Sequence, residues 1–406
     1  MTKQGLVILG LVLAAGAAFA ADHPGQRFLI SPASLPKPYA TPAVGNESTN
    51  IPRPPGTMPD VPKGFAVSVF AENLTNARWM AVAPNGDVFL AEPSAGKVTL
   101  LRDSNGDGKA DVSTSFIGGM DQPHGLALHQ GYLYVSDLRG VWRIPYKGGE
   151  TMAMAAPQKV TNPRNLRPRG NHWTRDIAFG PDDALYLGFG SRDNVSDFKP
   201  GAQIFRIDAA GNMSEFAGGI RNAVGLAFYP GSDTLFVSVN ERDGLGDGLP
   251  PDYLTSVKPG GFYGYPYAYT GAHPDPDWGK KRPDMVAKSI TPDVLFQAHS
   301  APTGLVFYTG ANFPAEYKND AFVSPHGSWN SGQPTGYKVV RVHFQNGKPV
   351  GGYENFVTGF WDGAGGGDTP QRVMGRPAGL AIAKDGSLLI ADDAANVIWR
   401  VRYTGT

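Results

Sequence analysis

The 406-residue sequence contains no cysteine. That excludes a disulfide scaffold, Cys-ligated zinc, iron–sulfur clusters, thiol catalysis and haem attached through a Cys-x-x-Cys-His run. Any redox chemistry must therefore rest on a cofactor held noncovalently or through oxygen and nitrogen groups. A surplus of charge is also missing, since 36 Lys and Arg balance 36 Asp and Glu. Neutralising nucleic-acid phosphates takes a basic surplus, so no nucleic-acid partner is expected. From Gly64 onward helical periodicity is almost absent, and so are a Gly-x-Ser-x-Gly elbow, a Walker loop and a His-Glu-x-x-His helix. Their absence removes the usual signs of serine-hydrolase, phosphate-cradle and zinc-peptidase chemistry.

What is present begins with an address label. Met1 to Ala20 carries Lys3, an apolar run from Leu6 to Ala18 and a small-x-small site at Ala18-Phe19-Ala20, the pattern of a secretory signal peptide cleaved after Ala20. The run is shorter than the roughly 20 residues that span a bilayer, and no other follows. The mature protein is expected in the periplasm or outside the cell, not spanning a membrane. Residues 21–62 are rich in Pro, Ser, Thr and Asn without clear periodicity and predict an extended arm.

Residues 63–406 repeat one motif: an apolar strand, a turn and a second apolar strand. The copies begin at Arg78, His124, Arg175, Val224, Thr303 and Ala378, and several are followed by a third strand such as KVTLLRD, GVWRIPY or NVIWRVRY. No single meander buries both its faces, and repeats of this length built from antiparallel strands mark a β-propeller. The sequence thus predicts an all-β, six-bladed propeller. GFAVSVFAENL at Gly64 has no blade of its own and is expected to pair with NVIWRVRY, closing the ring so that no sheet edge stays open. A long insertion from Thr255 to Lys281 is a candidate functional loop.

In a propeller the first strand of each blade lines the central channel, so residues just before the repeated Gly-Leu-Ala phase converge on one mouth. They are His124, then His172 with Arg175 and Asp176, Arg221 with Asn222, His299 with Thr303, and Arg376. His172 and Arg221 share one offset, four residues before the Gly phase, with Asp176 in place of Gly in the third copy. A neutral His beside an Arg can take a proton from a hydroxyl while the cation stabilises charge on oxygen. Separately, Asp103, Asn105, Asp107, Lys109 and Asp111 match the oxygen spacing of a calcium loop, with Gly108 at the turn and Thr114 where a bidentate Glu usually stands. Calcium is expected there, an Asx-rich turn without metal being the alternative.

Taken together, NHWTRDIAFGPD at Asn171, GIRNAVGLAFYP at Gly219, VNERDGLGDGLPPDYLTSVKPGGFYGYPY at Val239, SPHGSWN at Ser324 and GRPAGLAI at Gly375 resemble the soluble sugar dehydrogenases that use pyrroloquinoline quinone (PQQ). The likeness is to the L-sorbosone and aldose-sugar branch, and it runs from about Pro62 to the C-terminus. The resemblance implies a six-bladed propeller that oxidises an aldose or sugar aldehyde to a lactone or acid. His172 would be the catalytic base, Arg221 and Asn222 would contact the quinone oxygens, and Arg376 would bind a PQQ carboxylate. It also implies a cofactor calcium held by backbone carbonyls near Glu241 and Arg242, with Asp252 resembling a structural calcium ligand. Where the glucose-oxidising branch has a Lys, this chain has His326 and Trp329 as pocket-lining candidates, and His124 and Thr303 join them by position. Without cysteine there is no fused c-type haem, so the electrons would go to a separate acceptor, a cytochrome or a quinone. Two other readings stay open: a calcium-dependent hydrolase of the lactonase type, and a propeller that binds without catalysis.

Overall fold

The computed structural model describes residues 21–162, 166, 172–367 and 369–405; the leader read in residues 1–20 and Asn171 of the third-copy motif lie outside them. Six four-stranded antiparallel meanders follow in chain order, and each begins with one of the apolar copies read in the sequence. Blade 1 starts at Trp79–Val82, blade 2 at Leu126–His129 and blade 3 at Ile177–Phe179. Blades 4, 5 and 6 start at Asn222–Phe228, Pro302–Phe307 and Pro377–Ile382. Phe65–Ala71 supplies the outer strand of blade 6, pairing with Val397–Tyr403 in the register Phe65 to Tyr403 and Ala71 to Ile398. The ring is therefore closed by pairing the Gly64 segment with the last strand, as expected.

The core is divided among the blade interfaces. Leu126, Val135 and Ile144 of blade 2 pack on Phe89 and Leu100 of blade 1, and Phe236 and Leu254 of blade 4 pack on Leu305 and Val323 of blade 5. Burying each such side chain stabilises by roughly 1.5–3 kcal/mol, so no blade is stable without its neighbours. At the channel the blades are stapled by hydrogen bonds. Ser238 Oγ donates to the Thr303 carbonyl (2.8 Å), Ser136 Oγ to that of Arg175, and Ser324 Oγ to that of Ala378. This close approach explains the repeated glycine: a Cβ on Gly225 would lie 2.3 Å from the Thr303 carbonyl oxygen, and one on Gly304 2.3 Å from that of Ala378.

Two blades carry something else at that position. Asp176 stands there in blade 3, its carboxylate accepting from Leu226 N of blade 4 (2.7 Å) and from Ile177 N (2.9 Å). Trp79 stands there in blade 1, close enough to the Asp176 carboxyl to help lower its pKa. The two exceptions to the glycine rule thus lie near each other. Burial pushes the Asp176 carboxyl well above its usual range, against the backbone N–H groups of Leu226 and Ile177, which pull it down.

The arm is tied down along its length. Arg27–Phe28 adds a fifth strand to blade 5, Phe28 stacking on Tyr353. Just ahead of it, Asp22 accepts from the buried Lys338 Nζ (2.7 Å). Ser48–Asn50 then runs parallel to Gln371–Val373 ahead of blade 6. The insertion after the third strand of blade 4 holds a small hairpin and the single α-helix among the described residues, Pro283–Lys288. No described helix is long and apolar enough to cross a membrane.

Candidate functional site

In an antiparallel meander the start of the first strand and the end of the second lie at the same mouth of the channel. The site is accordingly built from two sets of residues, those just before each innermost strand and those just after its partner. They enclose a cleft of about 420 Å³ lined by His172, Asn194, Arg221, Asn222, Glu241, Asp243, Asp252, His299, Trp329 and Asn330, among others, a size usual for small-molecule sites.

His172 Nδ1 lies 2.8 Å from the Ser191 carbonyl and 3.0 Å from Ser191 Oγ. A carbonyl only accepts, so Nδ1 carries the hydrogen and Nε2 presents a lone pair. Burial, followed by the charge of Arg221, pushes the imidazole down to about 3, which keeps it neutral. Arg221 is fixed by five acceptors: the carbonyls of Glu241 (2.7 Å), Asn194 (3.0 Å) and Asn240 (3.3 Å), Asn194 Oδ1 (3.0 Å) and, at 3.5 Å, the Asp243 carboxylate. Asn222 Oδ1 is buried without a partner. Between blades 3 and 4 the chain at Gly190 passes so close that a Cβ would lie 2.3 Å from Asn222 Oδ1 and 2.6 Å from His172 Cβ. The insertion braces this wall from behind, Tyr265 OH accepting from Ser196 N (2.7 Å).

Across the mouth, Arg78 of blade 1 pairs with Asp393 at the end of blade 6's second strand. His326 Nε2 sits 2.9 Å from Asp393 and 3.1 Å from Arg78. Arg376 donates to the carbonyls of Gly327 (2.6 Å) and His326 (3.3 Å). Burial, then Arg376, lowers His326 to about 4. Arg78 also lies 5.7 Å over the ring of Trp173, the neighbour of His172, and so links the two clusters.

Two carboxylates complete the cleft. Asp252 accepts from Glu241 N (2.8 Å) and Ala301 N (2.8 Å), while Glu241 Oε1 is buried with no partner. Burial raises Glu241 to about 7 and Asp252 to about 6. The unpaired Glu241 Oε1 is a hard oxygen donor of the kind that suits a divalent cation such as calcium, while the Glu241 carbonyl is taken by Arg221 and the Asp252 oxygens accept from Glu241 N, Ala301 N and Ser300 Oγ. Arg242 turns its side chain away to Asp275 of the insertion. With Arg221 and the orphaned Asn222 oxygen on the cleft, and Arg376 and Arg78 in the cluster around His326, the residues also fit a small polyanionic cofactor.

In the loop Asp103 to Asp111, where calcium was expected, the side-chain oxygens accept backbone hydrogen bonds. Asp103 accepts from the backbone N–H groups of Gly106, Asp107 and Gly108, Asn105 from Asp107 N, Asp107 from Lys109 N, and Asp111 from Ser104 N. Lys109 extends to Glu72 instead. The bonds are those of an Asx-rich turn, and among the described residues no group of three or more His, Asp or Glu gathers to hold a metal, either at this loop or at Glu241 and Asp252. His124 and Thr303 also stand elsewhere than expected. His124 is 0% exposed, sandwiched by Trp79 and Trp173, and Thr303 Oγ1 donates to the Ala378 carbonyl inside the channel (3.2 Å). Neither lines the cleft. Sequence reasoning missed Arg78, Asn194, Asp243, Asn330 and Asp393. All but Arg78 follow the second strand of a blade, a position the meander rule would have flagged.

Fold and site together define a six-bladed propeller with a charged small-molecule cleft at one channel mouth. A family model described as TrAA12-like matches residues 59–276 and 275–404, and the chain belongs to that family. An uncharacterized protein of Borreliella burgdorferi is 30% identical over 358 residues, 84% of this chain and 90% of that protein. Among solved structures, a calcium structure of Trichoderma reesei carbohydrate-active enzyme family AA12 is 20% identical, with TM-score 0.70 over 85% of this chain and 97% of that one. The holo form of the pyranose dehydrogenase PQQ domain from Coprinopsis cinerea is 19% identical, with TM-score 0.71 over 87% and 98%. The PQQ-bound aldose sugar dehydrogenase of Streptomyces coelicolor is 19% identical, with TM-score 0.58 over 84% and 99%. At these identities the likeness establishes the fold.

Proposed function

We propose that the protein is a quinoprotein oxidoreductase that oxidises a sugar or sugar aldehyde in this cleft with PQQ and calcium, passing electrons to a separate acceptor. The observation that carries the reading is His172: a neutral imidazole on the cleft wall, its Nδ1 hydrogen committed to Ser191 so that the lone pair is on Nε2, with Arg221 held rigidly on the same wall. When bound, PQQ supplies a two-electron acceptor and calcium a Lewis acid. Arg221, Arg376 and Arg78 would hold the cofactor's anionic oxygens, Asn222 would orient it, and Glu241 with Asp252 would hold the cation. Nε2 of His172 takes the proton from the substrate hydroxyl, while Asp243 keeps Arg221 aimed at the cleft. Negative charge bound beside Arg221 offsets the second cause of the low His172 pKa and so raises its basicity. The sorbosone-like end of the substrate range rests on sequence resemblance.

The test is to titrate PQQ and calcium into the purified protein and follow dye reduction with a panel of aldoses and sorbosone. Cofactor-dependent reduction that vanishes in His172→Ala, while PQQ binding persists, supports the proposal; absence of PQQ binding defeats it. Export to the periplasm or medium belongs to the same reading and rests on the leader. It is tested by N-terminal sequencing of the exported protein, which should begin at Ala21.

A further inference from the structure

The insertion carried by blade 4 does more than brace the cleft wall. Its first segment docks on the edge of blade 3: Gly218 N donates to the Gly261 carbonyl (3.0 Å), Tyr263 N to that of Gly218 (3.0 Å) and Tyr265 N to that of Gly219 (3.1 Å). Between insertion and blade this leaves a cavity of about 260 Å³, and among the described residues it shares none of its lining with the cleft.

The cavity has an aromatic floor and a charged rim. Phe262, Tyr265, Tyr267 and Met285 form the floor, the rings of Phe262 and Tyr267 standing 6.5 Å apart at 34°. Phe262 is pressed onto Gly219, where a Cβ would lie 2.6 Å from its ring, so this platform is fixed. Lys199 and Arg282 share the rim with Asp197 and Glu215. Arg282, paired with Asp284 (2.7 Å), lies 5.8 Å over the Tyr267 ring. Lys199 Nζ faces Glu215 at 3.9 Å, too far for a hydrogen bond.

Aromatic walls favour a flat ring packed against them. The Lys199 ammonium offers donors to an oxygen on that ring, whereas Asp197 and Glu215 oppose a ligand with negative charge of its own. A planar, neutral ring bearing carbonyl oxygens meets all three conditions, and a quinone is such a ring. Tyr265 gives it a task. The Tyr265 ring lines the cavity, while its hydroxyl lies 3.2 Å from the Asn194 carbonyl and 3.3 Å from that of Asp193. The same Asn194 carbonyl accepts from Arg221 Nε (3.0 Å), and Asp193, Asn194 and Arg221 all line the cleft. One tyrosine and one backbone carbonyl therefore stand between a ring in the outer cavity and the Arg221 guanidinium.

We propose that this cavity is the site of the electron acceptor, a small neutral quinone packed against Phe262 and Tyr267 with a carbonyl oxygen on Lys199, and that electrons leave the cleft through the Tyr265 wall. The proposal rests on the dehydrogenase reading of the cleft. Oxidation of the sugar breaks one C–H and one O–H bond and releases two electrons and two protons. The electrons pass by way of the cleft cofactor to the quinone, which takes two protons from solvent, forms two O–H bonds and leaves as the hydroquinone, so the balance closes with no further reagent.

The probe is 2,3-dimethoxy-5-methyl-1,4-benzoquinone, and the chain has no cysteine to consume it. Binding is read first, by saturation-transfer NMR with and without PQQ. Signal that persists with PQQ present, and reports affinity weaker by about tenfold in Tyr267→Ala and Lys199→Ala, supports the site. No signal in the wild type, signal that PQQ abolishes, or equal affinity in both variants overturns it. Neither side chain lines the cleft. In PQQ- and calcium-loaded enzyme both variants should therefore raise KM for the quinone by about tenfold, while KM for the sugar and turnover with ferricyanide stay as in the wild type. Sugar oxidation with ferricyanide beside a quinone KM that neither variant moves overturns the acceptor site and leaves the dehydrogenase reading standing. No sugar oxidation with either acceptor defeats that reading, and the acceptor role falls with it.

Discussion

Replacing His172 with Gln tests the electrostatic account of the site without relying on any cofactor. In the folded protein burial and Arg221 hold His172 at about 3, against an ordinary value of 6.5. A depressed His pKa means that the unfolded chain binds a proton which the folded one refuses. Stability is thus unaffected by this group above 6.5 and is lost as pH falls from 6.5 toward 3. Between 6.5 and pH 5 the loss is ~1.5 pH units at ~1.36 kcal/mol each, or about 2 kcal/mol. Glu241 and Asp252, raised to about 7 and 6 by burial, act with the opposite sign, but they are present in both proteins and cancel in the difference. Gln retains an N–H donor for the Ser191 carbonyl. Urea unfolding of wild type and His172→Gln at pH 7.5 and pH 5.0 should therefore show the variant losing about 2 kcal/mol less over that interval. Parallel losses would refute the buried, neutral imidazole. In the loaded enzyme the same variant should lose about 10²–10⁴ in kcat, the usual worth of a general base.

Glu241→Gln should abolish the calcium-induced rise in melting temperature, and in the wild type calcium affinity should climb from pH 6 to pH 8, because a carboxyl titrating near 7 must shed its proton to bind the ion; a pH-independent affinity would contradict this. Calcium binding should by contrast survive Asp107→Asn, since the side-chain oxygens of the Asp103 loop accept backbone hydrogen bonds, which isothermal calorimetry would check. Gly225→Ala should destabilise by about 1–3 kcal/mol, its Cβ falling 2.3 Å from the Thr303 carbonyl oxygen, and a neutral effect in urea melts would argue against the blade staple. Removing the partner of a buried amine, Asp22→Ala should cost about 3 kcal/mol at neutral pH through Lys338, which is 1% exposed; equal melting curves would show the arm's first residues to be undocked.

The repeat is legible in the chain because each blade's apolar strands are contiguous, local and punctuated by turns. Blade number, ring closure by the Gly64 segment, and the shared offset of His172 and Arg221 all follow from that local periodicity. The fourth strands were not legible. Val112–Ile117 and Met213–Gly218 lie at the rim with half-exposed, polar-rich patterns, so little hydrophobic signal marks them. Position before an innermost strand placed His172, Arg221, Asn222 and His299 on the cleft, yet Arg376, His124 and Thr303, chosen by the same rule, do not line it. Whether a channel-facing side chain opens to the cleft depends on its depth and on what the opposite blade sends in: His124 is capped by Trp79 and Trp173, and Thr303 is consumed by the Ala378 carbonyl. The Asp103 loop shows the same limit, for spacing names oxygens but cannot say whether backbone N–H groups have already taken them. By itself the sequence determined which segments pair and which residues reach the channel, since those are nearest-neighbour properties of a strand meander. The closed ring decided the rest: Asp393 beside Arg78, Asp243 behind Arg221, and an arm across the mouth are contacts between residues tens to hundreds of positions apart, which exist only once six interfaces have formed together.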